Sequence, residues 1–373
     1  MPDSNPHIML FAGPFQLRGT SSYTMRLMEH LPQNGFQVTV TCTDAELIRR
    51  LMPGGIQIRE YRRLAMPIWG RAVRYMMFND VAAQPPNLLH IQSRQVWQDG
   101  RWLARRLKRP YVVTVHDHLY ENETFGVDFH WCRKVIAVSE SVKANLLART
   151  SIHEDRIAVI HTGVAVPDQA TALPPLQPGH VPVVGTAGPL EAVKGFPFFL
   201  SAAQQVLAAG RDVEFLIAGA GPEESNLRRL ARELGIAQKV TFVPNLSELT
   251  ESLEAMDIFC LPSLQQGLGT IMLEPMAMAK PVIATGVGGV YSVVDDGKTG
   301  LMVPPSNSRA LAEKILELLN HPERARAIGE AARARVAAEF SVEKMIRETA
   351  GLYREILDAE PSATAAVAVP TTH

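Results

Sequence analysis

The sequence has few cysteines and no long apolar run. Its three cysteines, Cys42, Cys132 and Cys260, lie far apart, and no Cys-x-x-Cys pair occurs. A zinc site or a redox pair is therefore not indicated, and this cysteine usage fits a reducing cytoplasm. No apolar stretch approaches the ~18–20 residues of a membrane span, and no basic segment followed by an apolar run marks a signal peptide. These absences predict a soluble, cytoplasmic protein and leave open a peripheral position on the inner face of the membrane.

The charge is nearly balanced overall but uneven along the chain. Lys and Arg number 37 and Asp and Glu 38, a net charge of −1, which argues against nucleic acid as the main partner. Up to residue 170 there are 20 basic and 15 acidic residues, whereas the remainder holds 17 and 23. This asymmetry suggests that the N-terminal half meets an anionic partner. No Asp-x-Asp pair occurs, so a metal-bridged diphosphate site of that type is not indicated, and neither a metal nor a cofactor is expected.

Short apolar runs alternate with amphipathic helical patterns along most of the 373 residues, a length that suits two α/β domains. Strands are predicted at 8–12, 36–41, 88–91, 111–115, 135–138 and 157–160, and again at 183–187, 213–218, 240–243, 258–261, 281–284 and 301–303. Such alternation implies parallel sheets covered on both faces. The predicted fold is α/β, with two doubly wound, Rossmann-like domains facing across a cleft, which is the default ligand site.

Composition sets the expected boundaries of the domains. The window 171–182 is rich in proline, which extends neither a helix nor an interior strand, and it is predicted to be a linker. It separates an N-terminal domain over 1–170 from a C-terminal domain over 183–340. A last helix is expected over 341–358, and its return to the N-terminal domain is left open. The tail 359–373 has little charge and few large side chains, so it is predicted to be disordered.

The segment 262–285 carries the clearest functional signal. A predicted strand ends at residue 261, and a loop with Gly267 and Gly269 leads into a helix predicted at 272–279. Free backbone N–H groups and the positive end of the helix dipole make such a turn a ready anion site. On composition alone, an ordinary turn between strand and helix explains these glycines equally well.

Longer matches in this segment favour the functional interpretation. In order stand Pro262-Ser263, Gly267-Leu268-Gly269, Leu273-Glu274-Pro275-Met276-Ala277 and Lys280-Pro281-Val282-Ile283-Ala284. Together they resemble the donor-binding region of the retaining, family 4 glycosyltransferases of the GT-B fold. The resemblance implies metal-independent transfer of a hexosyl-type unit, with retention, from a nucleoside diphosphate sugar, for which UDP is the expected nucleotide. It also implies a glycan, lipid-linked or small-molecule acceptor, bound mainly by the N-terminal domain.

The resemblance assigns roles to side chains of this segment. Glu274 is expected to hydrogen-bond the nucleotide ribose, while the loop and helix start (Gly267, Leu268, Gly269 and Thr270) contact the donor phosphates. Gln266 stands where the family has a glutamate near the donor sugar. An amide cannot act as a nucleophile, so double displacement through Gln266 is excluded. A route in which the diphosphate departs as an ion pair and the acceptor attacks from the same face does not require a carboxylate at this position. Pro275 is expected in the first turn of its helix or at a kink.

A second donor-binding element is expected at 185–196. Lys194-Gly195 match the family's Lys-Gly, and Lys194 would offer a point charge to the diphosphate, although a solvated surface lysine is the alternative. Pro189 replaces the family's arginine, so one of two expected cations is missing. The stretch 239–246 aligns with the loop that holds the base through backbone groups, which assigns Val243 and Leu246 to the donor site.

In the first half, Gly13 and Gly19 loosely match the family's glycine-rich loop beside donor and acceptor, and Arg18 adds a cation there; an ordinary loop accounts for these residues as well. His116 closes the strand 111–115 and resembles the histidine of the family's Thr-Val-His segment, which contacts the donor sugar. Lone histidines are usually structural, and the resemblance favours a hydrogen-bonding role over that of an obligatory base. The predicted catalytic group is therefore His116, Lys194, Gln266 and Glu274.

A basic and aromatic surface is also predicted in the first half. Arg59, Arg62, Arg63, Arg71 and Arg74 interleave with Tyr61, Met66, Trp69, Tyr75, Met76, Met77 and Phe78. Such a surface suits an anionic bilayer or a lipid-linked acceptor. The alternative is a solvated face over a buried stripe.

Two other functions remain open at this point. Pro189 and Gln266 are compatible with a catalytically weak or inactive relative that binds a nucleotide-sugar or a glycan. A nucleotide-sugar epimerase of the GT-B fold would use a similar scaffold, although the family 4-like segments argue against it.

Overall fold

Two fully parallel sheets organise the chain. A computed structural model describes residues 5–15, 19–51, 56–64, 66, 69–119, 123–167, 175–244, 249–266 and 268–359. The first sheet contains β1 (His7–Phe11), β2 (Gln37–Cys42), β3 (Gln57–Glu60), β4 (Leu88–Ile91), β5 (Tyr111–Val115), β6 (Cys132–Ala137) and β7 (Ile157–Val159). The second contains β8 (Val183–Ala187), β9 (Glu214–Ala218), β10 (Val240–Val243), β11 (Ile258–Leu261), β12 (Val282–Thr285) and β13 (Leu301–Val303). The predicted pair of doubly wound α/β domains is confirmed.

The strand order of each sheet places a crevice at its carboxyl edge. The orders are β3-β2-β1-β4-β5-β6-β7 and β10-β9-β8-β11-β12-β13. In each sheet the first strand lies in the middle, and successive strands are added first on one side and then on the other. The loops after β1 and β4, and those after β8 and β11, therefore diverge at a topological switch point, where open α/β sheets bind ligands.

Helices cover both faces of the two sheets. In the first half they are α1 (Gly19–His30), α2 (Glu46–Leu51), α3 (Gly70–Ala82), α4 (Trp97–Leu107) and α5 (Glu140–Arg149). In the second half they are α6 (Phe196–Ala208), α7 (Glu224–Glu233), α8 (Leu249–Glu254), α9 (Thr270–Ala277), α10 (Val290–Val293), α11 (Ser308–Asn320), α12 (Pro322–Glu339) and α13 (Val342–Ala359). Strands such as β1, β4 and β5 are buried along their whole length, as expected for a parallel sheet between helical layers.

The end of the chain returns to the first sheet. α12 lies against α9, and the chain then crosses at Val164, whose N–H donates to Phe340 O at 2.8 Å and whose carbonyl accepts from Val342 N at 3.1 Å. α13 packs beside α1, and its buried apolar residues share a core cluster with β1 and β2. Because this helix joins the core of the other half, it links the two sheets independently of residues 171–182.

The structure departs from the sequence predictions in local details. β3 was not among the predicted strands, because its sequence QIRE contains a single apolar residue; it is a half-exposed edge strand beside β2. Pro275 is the sixth residue of the eight-residue α9, beyond the first turn, and the helix ends two residues later. α13 extends to Ala359, the first residue of the predicted tail, and residues 360–373 lie outside the described residues. Part of the predicted linker, 171–174, is also outside them.

Candidate active site

The main cavity lies between the carboxyl edges of the two sheets and has a volume of about 1000 Å³. On one side it is lined by the loops after β1, β4 and β5 and by α1, and on the other by the loops after β8 and β11 and by the start of α9. Of the predicted site residues, Gly13, His116, Lys194, Gln266, Leu268, Gly269, Thr270 and Glu274 line this cavity. The fold thus brings residues from both halves of the chain to one space.

The loops that carry Lys194 and Gln266 are joined to each other. Leu264 N donates to Val193 O at 2.8 Å, and Lys194 Nζ donates to Gln266 Oε1 at 3.0 Å. Gly195 has φ +68°, and a Cβ atom there would lie 2.0 Å from the carbonyl oxygen of Pro262. Only glycine permits this close approach of the two backbones. The position of the Lys194 ammonium therefore depends on Gly195 as well as on its own hydrogen bond.

The amino end of α9 faces the cavity. Gly269, with φ +77°, precedes the helix, and Thr270 and Ile271 line the cavity wall. The first N–H groups of a helix have no intrahelical acceptor and carry the positive end of its dipole, so this wall suits an anion. The preceding turn is anchored from β12, because Thr285 Oγ1 donates to the carbonyl oxygens of Leu261 and Ser263.

Glu274, on the second turn of α9, is paired across the cavity. Arg26, on α1, donates from Nη2 to Glu274 Oε1 at 3.0 Å and from Nη1 to Gly163 O at 2.6 Å. The two side chains are only 17% and 25% exposed. Burial raises the pKa of Glu274, and the charge and hydrogen bond of Arg26 oppose that rise. Arg26 was not predicted as a site residue, because a cation beside apolar positions of a helix gives no sign of a partner 248 residues away.

His116 lines the cavity, and its Nε2 atom is buried. Its ring is held edge-on against Tyr23, with centroids 5.0 Å apart and an interplanar angle of 81°. Burial lowers the pKa of His116 to about 4, so the ring is neutral at neutral pH. The backbone of Gln92 hydrogen-bonds the ring, and Nε2 has no partner among the described residues. Nδ1 is then the nitrogen that donates to Gln92, which leaves Nε2 as the unprotonated nitrogen of the ring.

His90, which also lies at a strand end, belongs to the core and not to the cavity. Its Nδ1 is hydrogen-bonded to the Tyr353 hydroxyl, and its Nε2 lies 2.6 Å from Thr114 Oγ1. Burial lowers its pKa to about 3. The interaction ties β4 and β5 to the returning helix α13, so His90 has a structural role.

Several buried polar atoms on the cavity wall lack a partner within the described part of the chain. They are both polar atoms of the Gln92 side chain, Thr162 Oγ1, Ser263 Oγ and His116 Nε2. Buried polar groups in native proteins are almost always hydrogen-bonded.

Some predicted residues are not part of this wall. Val243, at the end of β10, does not line the cavity and uses its carbonyl to accept from Gly219 N at 2.8 Å. Gly19 begins α1. Arg18, Leu246 and Gly267 lie outside the described residues. The donor-binding roles assigned to these five residues stay predictions. Within the described ranges, no group of three or more His, Cys, Asp or Glu residues is arranged to hold a metal ion.

Two family models match the chain, one for each half that contains a sheet. Residues 17–166 match the family model "Glycosyltransferase Family 4", and residues 174–335 match "Glycosyl transferases group 1". The chain is 30% identical over 292 residues to alpha-maltose-1-phosphate synthase of Mycolicibacterium smegmatis, covering 66% of this chain and 73% of that protein. It is 34% identical over 183 residues to alpha-D-kanosaminyltransferase of Streptomyces kanamyceticus, a match that spans 47% of this chain and less than half, 46%, of that protein.

A solved structure shows the same fold. Anabaena Alr3699/HepE, in complex with UDP and glucose, superposes with a TM-score of 0.81 at 17% identity and covers 94% of this chain and all of its own. Two parallel α/β domains with a cavity between their carboxyl edges define the GT-B class. Within that class, the chain belongs to the family 4 glycosyltransferases.

Proposed function

We propose that the protein transfers a hexosyl-type unit, with retention of anomeric configuration, from a UDP-linked sugar to a hydroxyl group of an acceptor held by the N-terminal half. The observation that carries this proposal is the wall formed by Lys194, the amino end of α9 and Glu274, with His116 on the same cavity. This wall offers a cation and free N–H groups for a diphosphate and a carboxylate for ribose hydroxyls. His116 Nε2 offers an acceptor for a sugar hydroxyl.

The proposed chemistry needs no protein nucleophile. The bond between the anomeric carbon and the diphosphate oxygen breaks, and its electron pair leaves with the diphosphate. The acceptor hydroxyl then bonds to the same face of the anomeric carbon and gives its proton to the departing diphosphate oxygen. Lys194 and the α9 N–H groups stabilise the charge that develops on the diphosphate. Gln266, which accepts a hydrogen bond from Lys194 and carries no charge, cannot supply a covalent intermediate.

We also propose that the acceptor is membrane-linked and that the protein docks on an anionic bilayer through α3. Trp69, Tyr75 and Met76 are 58%, 59% and 50% exposed, and Arg71 is exposed beside them. Exposed aromatic and Met side chains next to a cation suit the interface of an anionic membrane. Arg74 belongs to the same basic stretch but makes contacts within the protein: it pairs with Asp99 and lies over the Trp102 ring. No helix among the described residues is both long and apolar enough to cross a membrane.

The comparisons do not favour the two alternatives. The kanosaminyltransferase and maltose-1-phosphate synthase relatives bear names of sugar-transfer or synthase enzymes, not of epimerases or of binding proteins. The uncharged Gln266 and Pro189 bear on the rate of transfer, and they leave the anion-binding wall intact.

Calorimetric titration with UDP, GDP and ADP, followed by transfer assays with the corresponding sugars, tests the proposal. Wild-type protein should bind UDP, and Lys194→Met should weaken binding by about tenfold because one ion contact to the diphosphate is lost. Lys298→Met is the matched control, since Lys298 is exposed and pairs with Asp295 away from the cavity. NMR of the product should show the donor's anomeric configuration. Binding of none of the three nucleotides would refute the site, and an inverted product would refute the same-face route.

A further inference from the structure

The Arg26–Glu274 pair joins the two halves of the chain inside the candidate donor site. Arg26 lies on α1, which covers the first sheet, and Glu274 lies on α9 of the second. Their atoms meet at 3.0 Å although they are 248 residues apart in sequence. Arg26 is fixed at a second point by the carbonyl of Gly163 at 2.6 Å, close to the place where the chain crosses back to the first sheet. The guanidinium is therefore held by its own half while it contacts the other.

This pair leaves Glu274 able to accept a further hydrogen bond. The contact with Arg26 uses Oε1, and a carboxylate has about four lone-pair sites over its two oxygens. A buried carboxylate without a cation tends to take up a proton, and it then loses part of its value as an acceptor for ribose hydroxyls. Arg26 supplies the opposing charge, as the direction of its effect on the Glu274 pKa shows.

We infer that Arg26 is a positioning residue of the donor site: it orients the Glu274 carboxylate that receives the ribose and faces it with an opposite charge, and it does so from the opposite half of the protein. Recognition of the ribose then depends on the two halves being closed on each other. This inference rests on the proposed function. It extends that function because Arg26 was not among the residues expected at the donor site.

A binding cycle tests the inference without relying on turnover. The probes are UDP and 2′,3′-dideoxy-UDP, which lacks both ribose hydroxyls. Wild-type protein should prefer UDP by about tenfold, the value of a hydrogen bond to a charged acceptor. Arg26→Gln should bind UDP about tenfold more weakly and dideoxy-UDP within twofold of wild type. Arg26→Lys, which keeps the charge, should recover most of the loss.

Two further variants separate positioning from a general effect on folding. Glu274→Gln should remove the preference for UDP over dideoxy-UDP. Adding Arg26→Gln to Glu274→Gln should not weaken UDP binding further, because both residues act through one carboxylate. The double variant buries no unpaired charge, so it should fold even if Arg26→Gln alone does not. Arg149→Gln, which removes another cation that lines the cavity, is the matched control and should keep the preference for UDP.

The outcomes distinguish this inference from the proposed function. If wild-type protein binds neither probe, the proposed function itself fails. If it prefers UDP and Arg26→Gln keeps that preference, Arg26 does not position Glu274. If Arg26→Gln weakens the binding of UDP and of dideoxy-UDP equally, Arg26 acts on the diphosphate or on closure of the two halves and not on the ribose. If Arg26→Gln binds UDP more tightly than wild type, Arg26 competes with the nucleotide. Each of these results overturns the inference.

Discussion

The Lys194 ammonium donates a hydrogen bond to Oε1 of Gln266 at 3.0 Å, and this contact joins the loop after β8 to the loop after β11. The amide of Gln266 brings no negative charge to this contact. Since Pro189 occupies the position of a second expected cation, Lys194 carries much of the charge that the wall offers to a diphosphate. The identity of residue 266 therefore bears directly on anion binding.

Gln266→Glu should weaken UDP binding by about five- to tenfold. A carboxylate at this distance would form an ion pair with Lys194, worth about 1 kcal/mol at a partly exposed site, and that pairing competes with the diphosphate. Calorimetry on the variant measures the effect. Gln265→Glu adds the same charge one residue away on an exposed side chain and should change the affinity less. A large gain in turnover for Gln266→Glu would contradict this interpretation and identify the natural glutamine as a defect.

Gly195→Ala should reduce both stability and nucleotide binding. Its Cβ would meet Pro262 O at 2.0 Å, so the loops that carry Lys194 and Gln266 would have to separate. Gly210→Ala is a close control, because Gly210 also has positive φ, +79°, but a Cβ there has no neighbour within 4 Å. The control should lose about 1 kcal/mol from the left-handed backbone alone and bind UDP normally. Equal effects of the two substitutions, measured by urea unfolding and calorimetry, would show that the contact with Pro262 is unimportant.

The free energy of unfolding should fall as the pH falls from about 6.5 towards 4. Burial lowers the pKa of His116 to about 4 and of His90 to about 3, and it also lowers the pKa of His7 and His161. In this window the unfolded chain binds protons that the folded protein does not, so acid favours unfolding. Full stability from these groups is present above pH 6.5, the ordinary value for histidine.

His116→Gln should reduce that pH dependence by about 1.4 kcal/mol per pH unit, the slope for one proton, between pH 4.5 and 6. Urea unfolding at several pH values measures the slope. The matched control is His130→Gln, which replaces an exposed histidine. An unchanged slope for His116→Gln would mean that this ring is protonated at the same pH in the folded and unfolded chains.

Trp69→Ala and Tyr75→Ala should each reduce binding to phosphatidylserine-rich vesicles by about fivefold, because each removes exposed aromatic surface from the proposed docking face. Sedimentation with vesicles measures the binding, which should weaken with added salt. Tyr291→Ala is the control, since Tyr291 is 62% exposed in the second half of the chain. Binding that is equally strong to phosphatidylcholine vesicles, or insensitive to both substitutions, would contradict the membrane proposal.

Much of the fold was predictable from local sequence patterns. Twelve of the thirteen strands in the described residues were predicted, because buried parallel strands appear as short apolar runs between turn residues. β3 was missed because it has no such apolar run. It is an edge strand, and its position is set by pairing with β2. Pro275 was expected in the first turn of α9 or at a kink; it lies beyond the first turn, since the helix begins directly after Gly269.

The sequence by itself determined the alternating strands and helices and the glycine turn before α9, because each depends on residues close together in the chain. The roles expected of Lys194, Gln266 and Glu274 came from the resemblance to family 4 glycosyltransferases and not from a local pattern. Only the tertiary structure decided which groups face one another. It placed Arg26 against Glu274 across 248 residues and buried His116 deeply enough to keep it neutral. Ion pairing and desolvation depend on distances and burial that arise only when the two halves pack together, so no local pattern contains them.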